Sequence, residues 1–162
     1  MLDWSQAEAQ LRPRLEAAFG RWEASAGTAY DAERWYAALV AALAQEAKTL
    51  EEMVALSEFA FVERVTRLTP AAQEALAGAW APGVLRHCLE TLSAPALSGA
   101  EAAAAYLRTL RHHWRDTAGL RGQQVMFPLR AALTGTMVGP CLGIVISLLG
   151  LARCVQRLQD RL

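Results

Sequence analysis

Apolar residues recur along much of the chain at helical spacing. Trp35, Leu39 and Leu43 repeat every four residues, Val54, Phe61, Val65 and Leu68 mark one face of the next segment, and Leu107, Leu110 and Trp114 mark another. Such spacing stacks side chains on one side of an α-helix. The pattern predicts helices over 32–48, 50–68, 99–116 and 140–162, separated by loops around 25–31, 78–83, 93–98 and 117–126. No stretch alternates apolar and polar residues with the period of a strand. The β-branched run Ile144, Val145, Ile146 sits in helical surroundings.

Start and stop signals agree with this reading. Thr49 followed by Glu52 has the form of a capping box, and Ser98 followed by Glu101 has the same form. Thr69 before Pro70 places a cap ahead of a proline at a first helical position, and Gly139 before Pro140 repeats the arrangement. Gly150 is a stop between two short terminal helices. The expected fold class is all-α: a helical bundle, or cage, of two small subdomains, 1–69 and 70–162, with a soft boundary at Thr69–Pro70.

Composition narrows the class. The chain has 162 residues, 54% hydrophobic and 20% charged, which excludes a disordered or low-complexity protein. Alanine, leucine, glutamate and arginine dominate, and these are strong helix formers. Cys88, Cys141 and Cys154 are too few for a disulfide scaffold, and their odd number fits the reducing cytoplasm. The first residues are acidic and polar where a signal peptide is basic and then apolar, so the expected location is cytoplasmic. Residues 131–152 carry no charge over 22 positions, a length that spans a bilayer. Gly135, Gly139, Pro140, Gly143 and Gly150 interrupt that run, so two short buried helices are expected there and no membrane partner.

Net charge is zero, but it is unevenly distributed. Residues 1–102 hold 8 Lys/Arg against 14 Asp/Glu, a balance of −6. Residues 103–162 hold 8 Arg against Asp116 and Asp160, a balance of +6. The asymmetry fits an anionic partner for the C-terminal third, or attraction between the two halves. Arg108, Arg111 and Arg115 lie on one helix face, with His112 beside them. With Arg121 and Arg130 they form either a positive track for a nucleic-acid backbone or an ordinary solvated face.

The sequence offers no catalytic constellation. Adjacent His112 and His113 point about 100° apart on a helix and do not share a metal. His87 next to Cys88 reads as a helix residue beside a buried thiol. No phosphate loop, no Cys-x-x-Cys and no nucleophile elbow occurs. Neither a cofactor nor a metal is expected.

One run is specific. Residues 126–142 read MFPLRAALTGTMVGPCL, and Ser147, Leu148, Leu149, Gly150, Arg157 and Leu158 follow. This resembles the C-terminal anticodon-binding domain of bacterial-type glutamyl-tRNA synthetases. That family carries a Pro-Leu-Arg-x-Ala-Leu-Thr-Gly segment, a Gly-Pro-x-Leu turn, and a Leu-Leu-Gly ahead of an Arg-Leu helix. Residues 47–52, with Phe59 and Phe61 after them, resemble its Thr-Leu-x-Glu helix start and aromatic stretch. The family's catalytic motifs, of His-x-Gly-His and Lys-Met-Ser-Lys-Ser type, do not occur.

The resemblance implies an all-helical cage, tRNA as partner (tRNA-Glu or a related one), and no aminoacylation by this chain alone. Carried over by position, the anticodon contacts are Arg130, Gly139, Pro140 and Leu142. Some family members have a hydroxyl residue at the position of Gly139. Family members place charge where this chain has Ile144 and Leu151. With Ser147, these would form an apolar stripe if the helix ran through Gly150, the face of a homodimer or of a synthetase-like protein partner. Three readings stay open: a non-catalytic tRNA-binding module, a protein-interaction module that lost the RNA, and the C-terminal fragment of an active glutamate-tRNA ligase.

Overall fold

The computed structural model describes residues 4–23 and 28–162. Its elements are α1 (Trp4–Phe19), α2 (Ala32–Leu43), α3 (Leu50–Phe61), α4 (Pro70–Ala77), α5 (Ala81–Thr91), a 3₁₀ turn (Ala94–Leu97), α6 (Ala100–Ala118), α7 (Gly122–Thr134) and α8 (Leu142–Gln159). No strand occurs among the described residues, and the fold is all-α. The loop expected at 25–31 falls partly outside the described residues.

The predicted caps explain several helix starts. Thr49 Oγ1 accepts from the Glu52 amide at 3.1 Å, and Glu52 Oε2 reaches back to the Lys48 amide at 2.6 Å. Thr69 Oγ1 accepts from the Ala72 amide at 3.2 Å, with Pro70 at the first helical position. Ser98 does not cap α6. Its hydroxyl turns back to the Pro95 carbonyl at 3.0 Å, inside the 3₁₀ turn, and Gly99 becomes the N-cap residue. Pro140 does not begin α8 either: the helix starts at Leu142, with Cys141 as its N-cap.

The periodic faces form the core. Trp35, Leu39 and Leu43 are buried, as are Leu107 and Leu110, and Trp114 packs partly buried against them. Around Trp35 the rings pack together: Trp22 stacks on it at 4.8 Å, and Phe61 meets it edge-on at 5.3 Å. The Trp35 indole N–H donates to the Leu148 carbonyl in α8 at 2.8 Å. One hydrophobic cluster runs from Ala7 to Leu158, across the boundary expected at Thr69–Pro70. By length and composition α8 could cross a membrane. Here it is the core helix, packed on α2, α3, α5, α6 and α7 and broken at Gly150, whose φ is +76°.

α2 ends at Leu43 where the helix was expected to reach 48, and α5 starts at Ala81 inside the loop expected over 78–83; two larger departures have a visible cause. The helix predicted over 50–68 ends at Phe61, and residues 62–69 leave the helix, bending at 63–64, although Val65 and Leu68 keep the apolar spacing. The reason lies in α8 and the turn after it. Arg153 Nη1 donates to the Ala60 carbonyl at 2.8 Å, Arg157 Nη2 to Val62 at 2.5 Å, and Arg161 Nη2 to Val65. Arg153 and Arg157 in α8 and Arg161 in the turn just after it, spaced i, i+4 and i+8, supply donors to carbonyls at and beyond the end of α3. Arg157 is 1% exposed, and burial pulls its pKa down to about 10.

The second departure is α7, which occupies 122–134 where a loop was expected to reach 126. Gly122 and the interior Pro128 both argue against a helix in isolation. Val125, Leu129, Ala132 and Leu133 are fully buried, and α7 packs on α4, α5, α6 and α8, so tertiary burial outweighs both.

Candidate nucleic-acid interface

Helix α7 and the loop after it carry the specific sequence run. The solvent face of α7 comprises Gln123, Phe127, Arg130 and Thr134, at i, i+4, i+7 and i+11. Val125, Pro128, Leu129 and residues 131–133 are buried behind them. The loop then needs glycine at 135. Its φ is +76°, and a Cβ there would strike the Arg67 carbonyl oxygen and lie 2.7 Å from Val65 Cγ1. The Gly135 carbonyl meanwhile accepts from the Thr69 amide at 2.9 Å, which ties the loop to the start of α4. Threonines hold the rest of it: Thr134 Oγ1 lies 2.9 Å from the Arg130 carbonyl, and Thr136 Oγ1 donates to Val138 at 2.9 Å.

Arg130 is the centre of this arrangement. Its Nη2 donates to the Pro140 carbonyl at 2.7 Å. Its Nη1 is buried and has no hydrogen-bond partner. A Cβ on Gly139 would lie 3.9 Å from Nη1 and meet nothing else within 4 Å, so the glycine leaves room close to this covered nitrogen. A buried donor without an acceptor costs about 1–3 kcal/mol, and an incoming acceptor would recover it. Burial also lowers the Arg130 pKa from its ordinary value, with Cys141 and Glu46 opposing. No carboxylate pairs with Arg130 among the described residues; the side chain is held by its bond to a carbonyl.

The other carried-over positions sit differently. Gly139 is half-buried, with φ +128°. Pro140 and Leu142 are buried, so no flat proline ring is presented to solvent. They shape the loop that Arg130 grips. Val138, one residue earlier, is 68% exposed. It borders a groove of about 430 Å³ between the end of α3, the segment 62–69 and the 134–138 loop, where Arg64 and Arg67 also stand.

Arg108, Arg111, Arg115 and Arg121 are all exposed. Arg115 pairs with Asp116 at 2.9 Å, while Arg108 and Arg111 form no ion pair among the described residues. Arg111 is joined to α7, because a Cβ on Gly122 would lie 3.7 Å from its Cδ. The +6 balance therefore divides in two. Arg130, Arg153, Arg157 and Arg161 bind the protein's own carbonyls, and the other four arginines face solvent. Sequence counting cannot separate those roles, since the acceptors are backbone oxygens up to 96 residues away.

The apolar stripe expected from Ile144, Ser147 and Leu151 does not form. Gly150 breaks the helix between Ser147 and Leu151. Ser147 is 0% exposed, donating to the Ile144 carbonyl at 2.8 Å and lying 3.5 Å from the Tyr30 hydroxyl. Ile144 and Leu151 pack partly buried against the core, so local repacking covers them.

Comparison with known proteins agrees with this geometry. Residues 7–162 match the family described as the anticodon binding domain, and the chain belongs to that family. A glutamate–tRNA ligase of Staphylococcus saprophyticus is 34% identical over 125 residues, which cover 77% of this chain and 25% of the ligase. The chain thus spans about a quarter of that relative's length. Among solved structures, a glutamate tRNA ligase from Elizabethkingia meningosepticum, in complex with its amino acid, superposes with a TM-score of 0.73. It is 16% identical, and the match covers 96% of this chain and 29% of that one. A glutamate-tRNA synthetase from Elizabethkingia anophelis gives 0.69 at 17% identity, over 99% of this chain and 28% of that one. The all-helical fold is shared with both.

Proposed function

We propose that this chain binds tRNA through its anticodon, as the recognition part of a glutamyl-tRNA synthetase-like system. The observation that carries this is Arg130, pinned through Nη2 to Pro140 while Nη1 lies unpartnered beside Gly139. A planar guanidinium held at one end is suited to an acceptor edge of an unstacked base. The exposed Arg108, Arg111 and Arg121 supply a path for the phosphate backbone. The ligand class is tRNA, with tRNA-Glu the first candidate, and the expected compartment is the cytoplasm. Glutamate attachment is assigned to the ligase relatives and not to this chain, which lacks the His-x-Gly-His and Lys-Met-Ser-Lys-Ser motifs.

The test is a gel shift of tRNA-Glu transcript by the purified chain at low salt. Binding that weakens steeply toward physiological salt is expected. Absence of any shift at micromolar protein, with the helical circular dichroism intact, overturns the reading.

A further inference from the structure

Phe127 is out of keeping with its surroundings. It is 45% exposed in the middle of the α7 solvent face, where a helix of this kind carries polar residues. No aromatic ring among the described residues stacks on it. A single exposed apolar residue is ordinary in itself. The position of this one is informative. Arg130 follows one helical turn later on the same face. Exposed Arg121 stands at the N-terminus of the helix, and Arg111 from α6 packs its stem near Gly122. From Gly122 to Arg130 is a rise of about 12 Å along the axis, with Phe127 between cations at both ends.

An aromatic face between cationic groups matches unpaired RNA in particular. Phosphates seek the arginines, and an unstacked base seeks a flat ring to replace the neighbour it has lost. A folded protein partner would also bury Phe127, but Arg111, Arg121 and Arg130 stand around it with no carboxylate paired to them among the described residues, which favours a polyanion. We propose that Phe127 is a base-stacking platform, holding one unpaired nucleotide of the bound RNA next to the base read by Arg130. The proposal rests on the anticodon-binding reading and adds a residue and a mode of contact to it. Phe127 confers affinity for any base, because every base has a π-face. Arg130 confers preference among bases, because its free N–H demands an acceptor.

The experiment titrates tRNA-Glu transcript, and its isolated anticodon stem-loop, with wild type and with Phe127→Ala, Phe127→Leu and Phe127→Tyr. Thermal unfolding checks each fold, which an exposed site tolerates. Phe127→Ala is expected to weaken binding of both RNAs by about 5- to 150-fold, the range for losing one stacked base. Phe127→Tyr keeps the ring and binds like wild type, while Phe127→Leu keeps apolar bulk and binds like the alanine variant. The slope of affinity against salt stays unchanged in all three, because no phosphate contact is removed. If wild type binds and Phe127→Ala binds equally well, the platform is wrong and the anticodon reading stands. If Phe127→Leu matches wild type, the contact is not stacking, and the proposal fails in the same way. If wild type binds neither RNA, the anticodon reading fails and this proposal with it.

Discussion

Arg157 Nη1 donates to the Leu133 carbonyl at 2.6 Å while Nη2 of the same guanidinium reaches the Val62 carbonyl at 2.5 Å. One buried side chain thus closes the end of α7 and the end of α3 together. Arg157→Met keeps the apolar stem and strands both oxygens, at about 1–3 kcal/mol each. The urea midpoint is expected to fall accordingly. Arg157→Lys recovers little, since an ammonium cannot fork between two acceptors. A lysine variant as stable as wild type would contradict this account.

Arg130→Ala is expected to weaken tRNA binding by about 1–3 kcal/mol, with most of the loss falling on one loop base. Arg130→Lys keeps the charge but cannot both hold Pro140 and present a second donor, so it loses base preference more than affinity. Filter binding against stem-loops with each base replaced in turn reads this out.

Arg108→Gln and Arg111→Gln act otherwise. Their exposed side chains lie outside the loop that Arg130 grips, so they weaken binding alike for all sequences. Each lost phosphate contact lowers the salt slope by about one. Arg157→Lys, though also a change of arginine, leaves the slope alone because that charge is spent inside the protein.

The cysteines separate by burial. Burial raises the Cys88 thiol to about 11 and the Cys154 thiol to about 12, so both stay protonated at neutral pH. Cys141 is exposed. A thiol reagent is expected to label Cys141 alone in the native protein and all three cysteines after unfolding. Mass spectrometry of labelled peptides checks the site.

Acid sensitivity is expected at the seam of α5 and α6. The His87 ring lies 4.1 Å from that of His113 and edge-on to Trp114. Burial, then the His113 charge, lowers its pKa from the ordinary 6.5, with Glu90 opposing. Above 6.5 the residue is neutral folded and unfolded, so its contribution is complete. As pH falls through that value the unfolded chain takes up a proton that the folded one does not, and stability declines. His87→Gln should flatten the fall of the urea midpoint between neutral and mildly acidic pH.

Much of this was legible in the sequence. The Trp35–Leu39–Leu43 and Leu107–Leu110–Trp114 faces, and the caps at Thr49 and Thr69, are local signals and were read from spacing alone. The run from Pro128 to Gly135 identified the family. What escaped reading is non-local. The spacing of Val65 and Leu68 fits a helix as well as the non-helical segment they occupy, and the deciding arginines lie in α8 and just after it. The first turns of α7, residues 122–126, read as a loop, and only burial by four neighbouring helices makes them helical. Phe127 passes as part of an apolar run, because only the packed helix shows that its neighbours turn inward and it does not.

The bond from the Trp35 indole to the Leu148 carbonyl spans 113 residues. During synthesis α1, α2 and α3 leave the ribosome long before α8, so until it arrives this indole and the carbonyls of Ala60, Val62 and Val65 have only water. The N-terminal helices thus lack part of their native hydrogen-bond partners until then. Closure of these bonds joins the two ends of the chain, so the native packing of α2 and α3 is complete only once α8 is in place. A truncation inside α8 would therefore be felt at Trp35, at the far end of the sequence.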